Sequence, residues 1–246
     1  MVYIAIFDTI DNAKTCCNMN KQLERLNSVR ERIDRACIAA GRPPGDVSLL
    51  AVSKRHPAEK IMTLNKMGLV SFGENQLQEA LEKQKELSTL QLQWHFIGTV
   101  QSNKTRALAE NFQWVQSVDR EKILKRLSAQ RPENLEALNI CLQVNIDRES
   151  QKAGAMPEDI PKLAELAGSL DNIRLRGLMA LPRQTNDPQE QHNSFKKVKN
   201  LFDQLNSGGY DIDTLSMGMS HDLEVAIFEG STMVRIGTDL LGKRPE

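Results

Sequence analysis

The stretch Val47-Ser-Leu-Leu-Ala-Val-Ser-Lys54 is a short apolar run closed by a lysine. An apolar run of this length without polar alternation marks a strand buried on both faces, the signature of a parallel sheet. Working outward, comparable runs recur at 69–73, 94–97, 114–117, 140–146, 173–180, 214–216 and 233–236. Helical periodicity fills the intervals at 58–67, 77–87, 104–111, 121–130, 157–167, 188–206 and 222–229. A further helix, 21–40, precedes the first strand. Leu23, Leu26, Ile33, Cys37 and Ala40 lie along one of its faces, and Gly41, Pro43 and Pro44 stop it. Eight strands alternating with seven helices predict an α/β fold, a single (β/α)8 TIM barrel with an additional N-terminal helix. An open doubly wound sheet is the alternative, but eight strands in this length favour closure.

The chain has 246 residues, which suits one barrel, and no low-complexity linker divides it. The expected division is a poorly ordered extension, 1–18, upstream of a natural start at Met19, followed by the barrel, 19–246. Lys+Arg and Asp+Glu both number 32. With zero formal charge there is no global field to attract nucleic acid or anionic lipid. No stretch approaches the length needed to span a bilayer, and the N-terminus lacks a signal peptide's basic region and long apolar core. Cys16, Cys17, Cys37 and Cys141 show neither metal spacing nor a disulfide framework, which fits a reducing, cytoplasmic setting.

In such a barrel, chemistry gathers where strands end and helices begin. Lys54 follows strand one. A lysine leaving a buried strand into the mouth is partly desolvated, which favours a neutral amine able to condense with an aldehyde. An isolated lysine would instead snorkel to solvent, so the companion residues matter. Ser216, Gly218 and Ser220 follow strand seven, and Gly237 and Thr238 follow strand eight. Barrels often bind phosphate there, on backbone N–H groups and a helix start. Arg235 lies just inside the end of strand eight and needs an acceptor, either a cofactor ring nitrogen or a carboxylate such as Glu74 or Asp222. Asn75 could flank a planar ligand, whereas Phe72 reads as core.

Gly98-Thr-Val-Gln-Ser-Asn-Lys-Thr105 nearly matches a P-loop, but Asn103 replaces the second glycine. His56, His95, His192 and His221 are scattered, with no metal-ligand spacing. His95 reads as a packed, hydrogen-bonded histidine.

Ala51-Val-Ser-Lys54, Phe72-Gly-Glu-Asn75, Trp94-His-Phe-Ile-Gly98, Gln101-Ser-Asn-Lys104, Gln143-Val-Asn145, Gly177-Leu-Met-Ala180, Leu215-Ser-Met-Gly-Met-Ser220 and Gly230-Ser-Thr-Met-Val-Arg-Ile-Gly-Thr238 occur in that order. Together, over about residues 20–244, they closely resemble the YggS/PROSC-type pyridoxal phosphate homeostasis proteins. The resemblance implies an alanine racemase-like barrel with fold type III binding of pyridoxal 5′-phosphate (PLP). It implies that Lys54 carries the cofactor as an internal aldimine, a Schiff base, and that Arg235 faces the pyridine nitrogen. It further implies that Ser216, Gly237 and Thr238 hold the phosphate, that Met217 and Met219 shape that loop, and that Asn75 approaches the ring. The chain departs from the family pattern at Gln76, where tyrosine is common, at His221, and at Asp239 and Leu240.

PLP does not by itself make an enzyme, because the protein chooses the reaction. A racemase needs a base on each face of the substrate carbon, and in alanine racemase the partner base is a tyrosine from the second chain. The tyrosines here are Tyr3, in the extension, and Tyr210, expected at the opposite end of the barrel. The second domain of a racemase is also expected to be absent. Arg235 stays protonated and favours an unprotonated pyridine, a weaker electron sink, although racemases manage with the same arrangement. The expected function is therefore intracellular PLP homeostasis without robust turnover, by a monomer that passes PLP to PLP-dependent apoenzymes. A PLP-dependent amino-acid racemase or lyase is the alternative, and a cofactor-free Schiff-base aldolase is a third class.

Overall fold

The computed structural model describes residues 3–243, with side chains from residue 19 onward. The expectations for the extension 1–18, including Tyr3, fall on residues whose side chains lie outside that range. Among the described residues, eight strands close into a barrel in strict sequence order, β1-β2-β3-β4-β5-β6-β7-β8. The strands are β1 Ser48–Val52, β2 Ser71–Glu74, β3 Gln93–Phe96, β4 Trp114–Val118, β5 Leu138–Val144, β6 Ile173–Ala180, β7 Thr214–Ser216 and β8 Met233–Ile236. Every neighbouring pair is parallel, and β8 closes on β1 with Leu50 opposite Arg235. The predicted (β/α)8 barrel is the observed fold.

The helices are α1 Tyr3–Ala39, α2 Ala58–Lys66, α3 Leu77–Glu86, α4 Thr105–Asn111, α5 Glu121–Gln130, α6 Ile160–Gly168, α7 Pro188–Ser207, α8 Leu223–Phe228 and α9 Thr238–Leu241. Two features differ from the sequence expectation. α1 begins well before residue 21, in keeping with the lack of any glycine or proline ahead of Gly41. Its buried stripe is Leu26, Val29, Ile33, Ala36 and Cys37, while Leu23 is 41% exposed.

The short α9 leaves no periodic signal in the sequence, and it explains what α1 does. β8 is followed by only a four-residue helix, so the outer ring lacks a full eighth member. α1 packs against α8, α9 and α2 and covers that gap. Arg32 of α1 fastens it, donating to Glu224 at 2.8 Å, Asp239 at 2.7 Å and the Ser220 carbonyl at 2.8 Å. Asp239, one of the departures from the family pattern, therefore serves to dock α1 at the mouth. Nearly all the apolar core forms one cluster between barrel and helices, with Phe72, Phe112 and Phe195 among its largest fully buried side chains.

Candidate functional site

The C-terminal ends of the strands open into a cavity of about 980 Å³. Lys54, Asn75, Met219, Arg235, Gly237 and Thr238 all line it. Lys54 is half-buried two residues past the end of β1. Asn75 enters from the end of β2, where Gly98 lets the β3 turn press against its backbone; a Cβ at Gly98 would collide with the Asn75 carbonyl. The charge of the lining is one-sided. Lys54, Lys104, Lys152 and Arg235 contribute cations, of which Lys152 is paired with Glu149 at 2.5 Å, and among the described residues no aspartate or glutamate lines the cavity. In a chain of zero formal charge, that concentration of positive groups in a concave site selects for an anionic ligand.

Arg235 is almost fully buried and its guanidinium is held on backbone oxygens. Nη1 donates to the Ser216 carbonyl at 2.6 Å and to Ser216 Oγ at 2.7 Å, and Nη2 donates to the Ala180 carbonyl at 2.8 Å. Neither Glu74 nor Asp222 accepts from it, so the carboxylate pairing weighed from sequence is replaced by a carbonyl cradle. Burial pushes the Arg235 pKa down to about 10, against the nearby Asp222 charge, which leaves it protonated at neutral pH.

Ser216 and Met217 are placed differently from the other predicted residues. Both are fully buried and neither lines the cavity. Met217 belongs to the core cluster. The Ser216 hydroxyl donates to Gln116 Oε1 at 2.7 Å while accepting from Arg235. Gln116 Nε2 in turn lies 2.9 Å from His95 Nδ1. The structure therefore gives Ser216 a place beneath the site, linking Arg235 to a buried polar chain of Gln116 and His95. Desolvation holds the His95 pKa down at about 3, so this histidine is neutral, and its ring stacks on Trp114 at 5.0 Å between centroids.

The turn after β7 owes its shape to Gly218, which has φ +96 and packs against Ala226 of α8. Its carbonyl accepts the Arg235 N–H at 3.0 Å, tying the β7 and β8 ends together. Ser220, Gly237 and Thr238 line the same cavity. Of the other departures from the family pattern, Gln76 lines the cavity at the start of α3, and His221 lines it beside Gln184, at 3.3 Å.

Sequence reasoning missed two contributions. The rejected P-loop-like segment supplies Gly98, Thr99, Gln101 and Lys104 to the lining. The loop after β5 supplies Lys152, whose ammonium also bonds the carbonyls of Leu181 and Pro182, strapping the loops after β5 and β6 together. Tyr210, by contrast, precedes β7 and packs near Gly168 and Gly208, at the far end of the barrel.

Comparison with known proteins gives a consistent set of likenesses. The family model for the alanine racemase N-terminal domain matches residues 25–245. A pyridoxal phosphate homeostasis protein of Pseudomonas aeruginosa is 56% identical, over 92% of this chain and 97% of that protein. The structure of PipY from Synechococcus elongatus with PLP bound aligns with a TM-score of 0.79 at 35% identity, covering 90% of this chain and all of that one. Alanine racemase of Clostridium difficile shares the fold, with a TM-score of 0.75 at 16% identity over 92% of this chain and 58% of that one.

Proposed function

The chain belongs to the family of pyridoxal phosphate homeostasis proteins, within the alanine racemase N-terminal domain family, and on that premise we propose that it is a PLP carrier whose covalent anchor is Lys54. One observation carries the reading. A half-buried lysine past the end of β1 opens into a cavity lined by cations and, among the described residues, by no carboxylate, a setting suited to a phosphorylated aldehyde. When bound, PLP supplies an aldehyde that condenses with an amine on loss of water, and a ring that withdraws electrons.

The residues present fit that group. Lys54 offers the amine for a Schiff base. Gly237, Thr238 and Ser220, which line the cavity, would hold the phosphate, and Arg235, fixed on its carbonyl cradle, would face the ring nitrogen. Asn75 would border the ring, and Met219 would close the β7 side. Ser216 acts from behind by fixing Arg235, and Met217 by packing the β7 turn. A protonated Arg235 cannot accept a proton from a ring nitrogen, which weakens the electron sink and suits storage and release better than carbanion chemistry. Tyr210, at the far end, is out of reach as a second base.

The reading extends to a monomer acting in the cytoplasm and delivering PLP to apoenzymes. It is supported by the free thiols of Cys37 and Cys141, and no helix among the described residues is long and apolar enough to cross a membrane. Handover is the test. The PLP-loaded protein, desalted and mixed with an apo aminotransferase, is expected to restore that enzyme's activity while exchanging no α-hydrogen of alanine in deuterated water. Sustained α-exchange would move the assignment to a racemase or lyase.

A further inference from the structure

Behind the cavity wall lies a buried charged cluster that the carrier reading does not use. Lys83 of α3 keeps only 8% of its side chain exposed. Its ammonium donates to three oxygens: the Ser53 carbonyl at 2.8 Å, Glu74 Oε1 at 2.7 Å and Glu79 Oε1 at 2.6 Å. That matches the three donors an ammonium possesses. The Ser53 hydroxyl adds a bond to Glu74 Oε1 at 2.6 Å. Glu79 Oε1 also accepts the backbone N–H of Arg55 at 2.5 Å. Arg55 has φ 60, a left-handed conformation that a residue with a side chain keeps only where its surroundings hold it.

These bonds converge on one place in the chain. The Ser53 carbonyl belongs to the peptide unit before Lys54, and the Arg55 N–H belongs to the unit after it. The same cluster therefore grips both peptide units flanking Lys54, from outside the barrel. Its energetics also suggest a geometric role. A buried ion pair seldom stabilises a fold more than well-packed apolar residues would. Here Glu74 is fully buried, desolvation pushes its carboxyl pKa up against the opposing effect of Lys83, and its Oε2 has no hydrogen-bond partner among the described residues.

We propose that Lys83 is the positioning residue of Lys54, acting through Ser53 and Glu79 to hold the anchoring amine where it can meet the cofactor's aldehyde. The inference rests on the reading of Lys54 as the anchor, and it concerns covalent capture rather than phosphate binding.

Two ligands separate these effects in the full-length protein: PLP, and pyridoxine 5′-phosphate, whose alcohol cannot condense with an amine. Lys83→Met strands the Glu74 carboxylate, so the double variant K83M/E74Q is tested beside it; glutamine keeps an oxygen for the Ser53 hydroxyl. The rate of borohydride-fixable PLP attachment is expected to fall by about tenfold or more in the double variant, the scale of a misplaced reacting group. Affinity for pyridoxine 5′-phosphate should stay within about twofold of wild type, as for an independent site. Equal losses for both ligands would mean a general structural role and overturn the proposal. Unchanged PLP capture would overturn it as well. A wild-type protein whose Lys54 takes up no PLP would remove the anchor reading and this inference together, an outcome distinct from either of these.

Discussion

Replacing Ser216 with alanine separates a residue that touches the cofactor from one that supports the residue that does. The hydroxyl is fully buried and makes two bonds, donating to Gln116 Oε1 at 2.7 Å and accepting from Arg235 Nη1 at 2.7 Å. Ser216→Ala removes the hydroxyl donor from a buried amide oxygen. It also costs the guanidinium one acceptor, although the Ser216 and Ala180 carbonyls remain. A buried polar group deprived of its partner costs about 1–3 kcal/mol, and the guanidinium, which keeps two carbonyls, adds about 1 kcal/mol, so together the losses come to about 2–4 kcal/mol. For a domain of this size that corresponds to a fall in apo Tm of about 5–15 °C. The assay is thermal and urea unfolding of the cofactor-free protein, followed by circular dichroism. A variant with wild-type apo stability but poor PLP retention would refute the reasoning, because it would make Ser216 a direct phosphate ligand as the sequence motif alone suggested.

Three further outcomes follow from the geometry. His95 is held neutral by burial with a pKa of about 3, below its unfolded value, so it contributes stability above pH 6.5 that is lost as pH falls toward 3. The loss should approach about 1.4 kcal/mol per pH unit in that window, and urea titrations of wild type against His95→Gln should show a shallower slope in the variant; identical slopes would contradict it. Gly98→Ala places a methyl against the Asn75 carbonyl, and should lower both apo stability and PLP retention, read by Tm and bound absorbance; wild-type values would show that the close approach is not needed. Because the cavity lining is cationic, PLP uptake measured by stopped flow should slow as salt rises, and Lys104→Gln should slow it severalfold at low salt; a salt-independent rate would count against electrostatic capture.

Much of the barrel was legible because parallel strands must be buried on both faces. The runs 173–180, 214–216 and 233–236 match β6, β7 and β8 residue for residue. The short β7 carries the weakest signal of the eight, since three residues show no period of their own. α9 was not readable, because four residues are too few for any periodicity, and the role of α1 in covering the gap it leaves is a matter of tertiary packing.

At the site, Lys54, Asn75, Arg235, Gly237 and Thr238 were legible as strand-end residues, and the structure brings them to one cavity. The burial of Ser216 was not, since a serine in a strand-end motif looks the same whether it faces the mouth or the wall. Lys83 and Gln116 were missed for a related reason. Lys83 sits among Glu82, Gln84 and Lys85 and reads as a solvated helix face, although its spacing from Ala80 and Leu87 places it on the buried stripe. Gln116 sits beside Ser117 in an otherwise apolar strand, and only the folded barrel brings Ser216 and His95 to it.

The central claim is that Lys54 is the covalent anchor. Wild-type protein and Lys54→Ala would be incubated with PLP, desalted and compared by absorption before and after borohydride. The account predicts a yellow band in wild type that borohydride bleaches, fixing the cofactor on the peptide that carries Lys54, and no such band in the variant. A band of equal strength in Lys54→Ala, or a wild type that takes up no PLP, would contradict it.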